Sequence, residues 1–131
     1  MAFKSTSYFF GEPYSFLLAR KYASGYLSLM NNILRTEVFD KWLVKLKDNK
    51  GKARIIERIR SAERRNFGDC GAVGEGVSEM RIHCGPGYRV YFTMIDDAVY
   101  ILLCGGTKRR QKQDIDKAKD IARLIKGGKR I

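Results

Sequence analysis

Cysteine, histidine and acidic side chains are scarce in this chain, and each scarcity removes a class of function. The three cysteines, Cys70, Cys84 and Cys104, are odd in number and include no C-x-x-C pair. They make neither a disulfide framework nor a thiolate zinc site, and they suit a reducing, cytoplasmic compartment. One histidine, His83, and dispersed acids give no cluster that reads as a metal site, so neither metal nor cofactor is expected. Long apolar runs are missing too. Phe16-Leu17-Leu18-Ala19 runs into Arg20-Lys21, far short of a bilayer span. The opening residues lack the basic start, apolar stretch and small-residue cleavage site of a secretory signal, and no membrane partner is expected. Acids number 14 against 26 lysines and arginines, a net charge of +12. That imbalance favours a polyanion as partner, most often nucleic acid. A length of 131 residues suits one domain with a real core.

What the chain does have is a stretch of period-two alternation, residues 77–106. Val77 to Cys84 sorts Glu79, Arg81 and His83 to one face and Met80 and Ile82 to the other, the mark of a half-buried strand. Gly85-Pro86-Gly87 is a turn, since proline lacks an amide proton and glycine tolerates positive φ. Tyr88 to Ile95 is β-branched and aromatic, Asp96-Asp97 turns the chain again, and Ala98 to Cys104 is a nearly unbroken apolar run. Closing the first turn with Cys84 opposite Tyr88 sets His83 against Arg89, Ile82 against Val90, Arg81 against Tyr91 and Met80 against Phe92. The second turn then sets Phe92 against Ile101 and Val90 against Leu103. One face becomes a continuous apolar layer. The other carries Glu79, Arg81, His83, Arg89, Tyr91, Thr93 and Tyr100. It reads either as a phosphate-binding surface or as a plain solvated face.

Residues 1–29 are aromatic and poor in charge, and residues 14–29 suit a short helix. The expected division is an extension over 1–29, with Met30 as a natural start, and one domain over 30–131. Asn32 to Arg35 suits a first strand. Thr36 is a good N-cap, with Glu37 and Asp40 in the first turn that follows. Phe39, Trp42, Leu43 and Leu46 form one apolar stripe. Asp48-Asn49-Lys50-Gly51 breaks this helix, and a second begins near Lys52. There Ile55, Ile56, Ile59 and Ala62 point inward. Lys52, Arg54, Arg58, Arg60, Arg64 and Arg65 coat the outside, a candidate RNA contact or a solvated face. The short link predicts an antiparallel helical hairpin. Asn66 to Gly76, with four glycines, is expected to be an irregular loop. The basic run Thr107–Lys112, with Arg110 and Lys112 as further candidate contacts, leads into a last helix striped by Ile115, Ala118, Ile121, Ala122 and Ile125.

The stretches TEVFDKWLVKLKD, GEGVSEMRIHCGPGYRVYF and ILLCGGTKRRQKQDIDKAKDIA resemble the phage-derived "addiction module killer protein" branch of the RelE/ParE toxin superfamily, over about residues 31–125. Cys84 stands where this branch often has tyrosine. The resemblance implies an α+β fold: an antiparallel sheet of about four strands, the helical hairpin on one face, and a C-terminal helix. It also implies a toxin of a type II toxin–antitoxin pair, held by a cognate helix-turn-helix antitoxin through an acidic segment. RelE-like members cut mRNA in the ribosomal A site without a metal, by 2′-hydroxyl attack on the adjacent phosphate. Such chemistry takes a proton acceptor, cations at the phosphate and a donor for the leaving oxygen. Carried over by position, Arg89 matches the central strand arginine, Arg81 a strand lysine, and Lys108 and Arg109 the Lys-Arg pair after the last strand. Glu79 replaces a second strand lysine, and no tyrosine follows Tyr100. His83 and Tyr91 are therefore the candidate proton carriers. The alternative is a ParE-like inhibitor of DNA gyrase with no nuclease activity.

Overall fold

The computed structural model describes residues 3–5 and 30–127. The helix expected over residues 14–29 lies outside them. In chain order the elements are β1 (Phe3–Ser5), β2 (Asn32–Thr36), α1 (Glu37–Lys45), α2 (Asn49–Glu63), β3 (Cys70–Gly74), β4 (Val77–Ile82), β5 (Tyr88–Asp96) and β6 (Val99–Thr107). A 3-10 turn (Lys108–Arg110) and α3 (Gln111–Lys126) follow. The six strands form one sheet in the order β1-β2-β6-β5-β4-β3. The α+β architecture is the expected one. The sheet is larger than four strands, and it is mixed, because β2 runs parallel to β6.

Both faces of the sheet are buried. Ile33, Met80, Ile82, Tyr88, Val90, Phe92 and Leu102 pack with Phe39 and Leu43 of α1 and Ile55, Ile59 and Ala62 of α2. On the other face Leu34, Val77, Tyr91, Val99, Ile101, Leu103 and Cys104 meet Ala118, Ile121, Ala122 and Ile125 of α3. Thr36 caps α1 as its sequence suggests, its Oγ1 accepting from the Phe39 amide at 3.1 Å. The same hydroxyl donates to the Leu103 carbonyl at 2.7 Å, which ties the helix entrance to β6. The expected break between the two helices falls earlier, at residues 46–48, and ends on Asp48. Asp48 is the N-cap of α2, with Oδ1 accepting from the Gly51 amide at 3.1 Å and Oδ2 accepting from the Tyr88 hydroxyl at 2.8 Å. Burial and that carboxylate push the Tyr88 phenol up to about 12.

Two registers differ from expectation. In β4 and β5, Ile82 rather than Cys84 faces Tyr88, so Arg81 faces Arg89 and Glu79 faces Tyr91. The connection is longer because Cys84 N donates to the Ile82 carbonyl at 2.9 Å and Gly87 N to the Cys84 carbonyl at 3.1 Å. The slip is by two residues, so every side chain keeps its face. Between β5 and β6 the pairing shifts after Tyr91–Cys104 to Phe92–Leu102, leaving Leu103 as an extra residue. Val99, Ile101 and Leu103 therefore join Tyr91 on the α3 face instead of facing α1 and α2. Tyr100, expected on the polar face, packs against Phe67 and Phe92 at centroid distances of 4.9 and 6.1 Å. The glycine-rich stretch before β4 also holds a strand, β3, whose ladder comes from pairing with β4.

Candidate nucleic-acid interface

The candidate side chains gather where the β4–β5 turn meets the 3-10 turn. Lys108 N donates to the Gly87 carbonyl at 2.8 Å, which fastens the basic run to the turn. Gly87 has φ +79°, and the space where a Cβ would stand lies 3.4 Å from Lys108 Cβ and 3.5 Å from Arg89 Nη1. The positive φ favours glycine there, while the approach itself is ordinary van der Waals contact. Arg89 and Lys108 thus meet over one residue.

Arg89 is not a free fork on an open strand. It is 6% exposed, and its Nη1 donates to the carbonyls of Gly87 and Tyr88, each at 3.3 Å. Its Nε lies 3.8 Å from Glu79 Oε1 and has no hydrogen-bond partner among the described residues. Glu79, itself 3% exposed, is the hub. Its Oε2 accepts from Arg81 Nε at 3.0 Å, and its Oε1 accepts from Gln111 Nε2 of α3 at 2.8 Å. A buried carboxylate is tolerable only when paired and hydrogen-bonded in this way. Arg81 continues the chain, its Nη1 donating to Asp69 Oδ1 at 2.8 Å. Asp69 Oδ2 lies 2.6 Å from His83 Nε2. Hydrogen bonds from His83 and then Arg81 hold the Asp69 carboxyl below its ordinary range.

One connected row of side chains, His83–Asp69–Arg81–Glu79–Arg89, therefore runs from the exposed rim into the α3 interface. Lys108, Arg109 and Arg110 stand exposed beside it, and Lys112 is exposed in the first turn of α3. Tyr91 is not on this rim. It is fully buried under α3, and burial, then the Glu79 charge, pushes its phenol far above the ordinary value. A buried neutral phenol does not exchange protons with a bound strand of RNA. Arg54 and Arg65 are exposed on the α1–α2 side of the sheet. Arg58, expected beside them, points inward: its guanidinium donates to the carbonyls of Arg81, Phe67 and Asp69.

Sequence reasoning missed Asp69, Gln111 and Asp114 and left Glu79 without a central role. Glu79 and Arg81 stand two apart on one strand face, a spacing that signals a pair. Asp69 sits in a glycine-rich loop with no periodicity to point it out. No group of His, Cys, Asp or Glu among the described residues can hold a metal ion. No helix among them is long and apolar enough to cross a membrane.

The fold is thus a mixed sheet covered on both faces, with a basic rim beside its C-terminal helix. The chain belongs to the family described as "Phage derived protein Gp49-like (DUF891)", whose model matches residues 41–126. That family falls in the addiction module killer protein group of toxin–antitoxin proteins. The chain is similar to an uncharacterized protein of Haemophilus influenzae (strain ATCC 51907 / DSM 11121 / KW20 / Rd), 46% identical over 93 residues, 71% of this chain and 94% of that one. No solved structure matches.

Proposed function

We propose that the chain is the toxin of a type II pair and cleaves ribosome-bound mRNA without a metal. The observation that carries the reading is the row of cations and His83 at the turn end of β4 and β5, beside Lys108 and Arg109. In the proposed reaction the substrate 2′-oxygen forms a bond to phosphorus and the bond from phosphorus to the 5′-oxygen breaks. The products are a 2′,3′-cyclic phosphate and a 5′-hydroxyl. The 2′-proton passes to His83, 71% exposed in its side chain, and the leaving 5′-oxygen takes a proton from solvent water. Arg81, Lys108 and Arg109 neutralise the charge that builds on the phosphate and the leaving oxygen, while Arg89 holds the turn behind them.

The engagement of Arg89 by buried Glu79 favours one second reading, a gyrase inhibitor that works by binding alone. Expression with and without the antitoxin gene separates the two. Growth arrest with new transcript ends in primer extension supports cleavage. Arrest with intact transcripts and inhibited supercoiling supports the inhibitor.

A further inference from the structure

Asp69 is held from several sides. Its carbonyl accepts from the Arg81 amide at 2.9 Å and from Arg58 Nη2 at 3.2 Å, while the Phe67 carbonyl accepts from the same Nη2 at 2.7 Å. Gly68 has φ +68°, and Arg58 Nη2 lies 2.8 Å from where its Cβ would be, so a side chain there would expel the guanidinium. The loop is thus locked at its backbone, and it presents one carboxylate with a task for each oxygen. Oδ1 takes Arg81 Nη1 at 2.8 Å, and Oδ2 meets His83 Nε2 at 2.6 Å.

An ionised carboxylate only accepts hydrogen bonds, so in the neutral ring Nε2 carries the proton and Nδ1 keeps the lone pair. The hydrogen bonds that hold the Asp69 carboxyl low keep it ionised at neutral pH. Arg81 is oriented at the same time. Its Nε is taken by Glu79 and its Nη1 by Asp69, while Nη2 lies over Gly71 without a partner among the described residues. One residue therefore sets both a base and a cation at the rim.

Resting on the cleavage reading above, we infer that Asp69 is a positioning residue: it fixes His83 in the Nε2–H tautomer, so that Nδ1 takes the 2′-hydroxyl proton, and it aims Arg81 Nη2 at the same phosphate. The carboxylate then also stabilises the imidazolium formed when that proton arrives, as in other carboxylate–histidine pairs.

The test has two arms. His83 is the chain's sole histidine, so ¹⁵N spectra of its ring need no assignment. At alkaline pH the neutral wild-type ring is expected to show one protonated and one bare nitrogen. In Asp69→Ala the two signals should move toward each other as the tautomers mix. The second arm measures cleavage on programmed ribosomes. Asp69→Ala and Asp69→Asn are expected to lower kcat by ~10²-fold with KM little changed, and Asp69→Glu to recover part of it. In a His83→Ala background Asp69→Ala should cost clearly less than it does alone, because only its hold on Arg81 is left to lose. A purely structural residue would lower the rate by the same factor in both backgrounds. Identical ring spectra in wild type and Asp69→Ala overturn the inference, as do rate losses that add in full. A wild-type chain that cleaves nothing removes the cleavage reading, and the spectra still decide whether Asp69 sets the tautomer.

Discussion

Asp114 stands in the first turn of α3, where a helix favours an acid, yet it is 6% exposed. Its Oδ2 has no partner among the described residues, and the backbone of Gly106 lies directly beneath it. Burial raises its carboxyl above the ordinary value, against the pull of Arg110 and Lys117. The unfolded chain releases this proton near 3.8, the folded chain only at a higher pH. Between the two values the folded state binds more protons, so stability falls as pH rises, and the full penalty holds above the raised value. Asp114→Asn is therefore expected to stabilise the protein at pH 7 by roughly 1 kcal/mol, ~4 °C in Tm, and to give no gain at a pH below the unfolded value. Melting curves of both proteins across pH 3–8 check this, and an equal gain at every pH rejects it. Glu79 is buried as well, but it is paired. Glu79→Ala leaves Arg89 as a buried cation without its counter-charge and should cost about 3–5 kcal/mol in urea unfolding. Glu79→Met with Arg89→Met removes both charges and should recover most of that loss. A double variant as unstable as the single one would show that the pair is not the source.

The elements were legible where polar and apolar side chains alternate with the period of the element. The stripe of α1, the Thr36 cap, the α3 stripe and the sorting of β4 and β5 all follow from periodicity, and the two-residue register slip left that sorting intact. β6 was legible as a strand but its facing was not, because α1 and α2 cover one of its faces and α3 the other. A strand buried on both sides has no alternation to read, and the bulge at Leu103 reverses whatever phase its neighbours suggest. β3 was hidden for a different reason: the glycines in CGAVG lower strand propensity, and β4 supplies the pairing. At the site the cations were legible from position and resemblance. The acids that hold them, Asp69 and buried Glu79, were not, since partnership across strands depends on a register that sequence gives only in part. β1 is the least committed element, three residues paired to β2 at the sheet edge. A chain starting at Met30 loses β1 and keeps β2 on β6. Its Tm is expected to fall by no more than about 5 °C, with growth arrest retained. A much larger fall would make residues 1–29 part of the domain.

The chain carries a net charge of +12, and among the described residues two basic surfaces stand out. One is the exposed coat of α2, with Arg54 and Arg60. The other is the rim of Lys108, Arg109, Arg110 and Lys112, next to half-exposed Arg81 and exposed His83. A partner that silences the proposed chemistry has to cover the second surface. The acidic antitoxin segment expected of this family suits it, because like-charged partners would be repelled there. Association between opposite charges at an exposed rim is steered over distances comparable to the Debye length, ~10 Å at 0.1 M salt, and is screened as salt rises. Binding of the purified antitoxin is therefore expected to weaken at least ~10-fold between about 0.05 and 0.5 M salt, mostly through a slower on-rate. Lys108→Glu with Arg109→Glu should produce a comparable loss already at low salt and flatten the salt dependence. Arg54→Glu with Arg60→Glu removes the same amount of charge from the other face, so it controls for net charge alone. Stopped-flow association rates of the three proteins distinguish the outcomes. If both charge reversals slow binding equally, the antitoxin responds to the overall field and the rim is not its docking site. If only the α2 pair matters, the antitoxin sits on the helical face and leaves His83 and Arg81 uncovered.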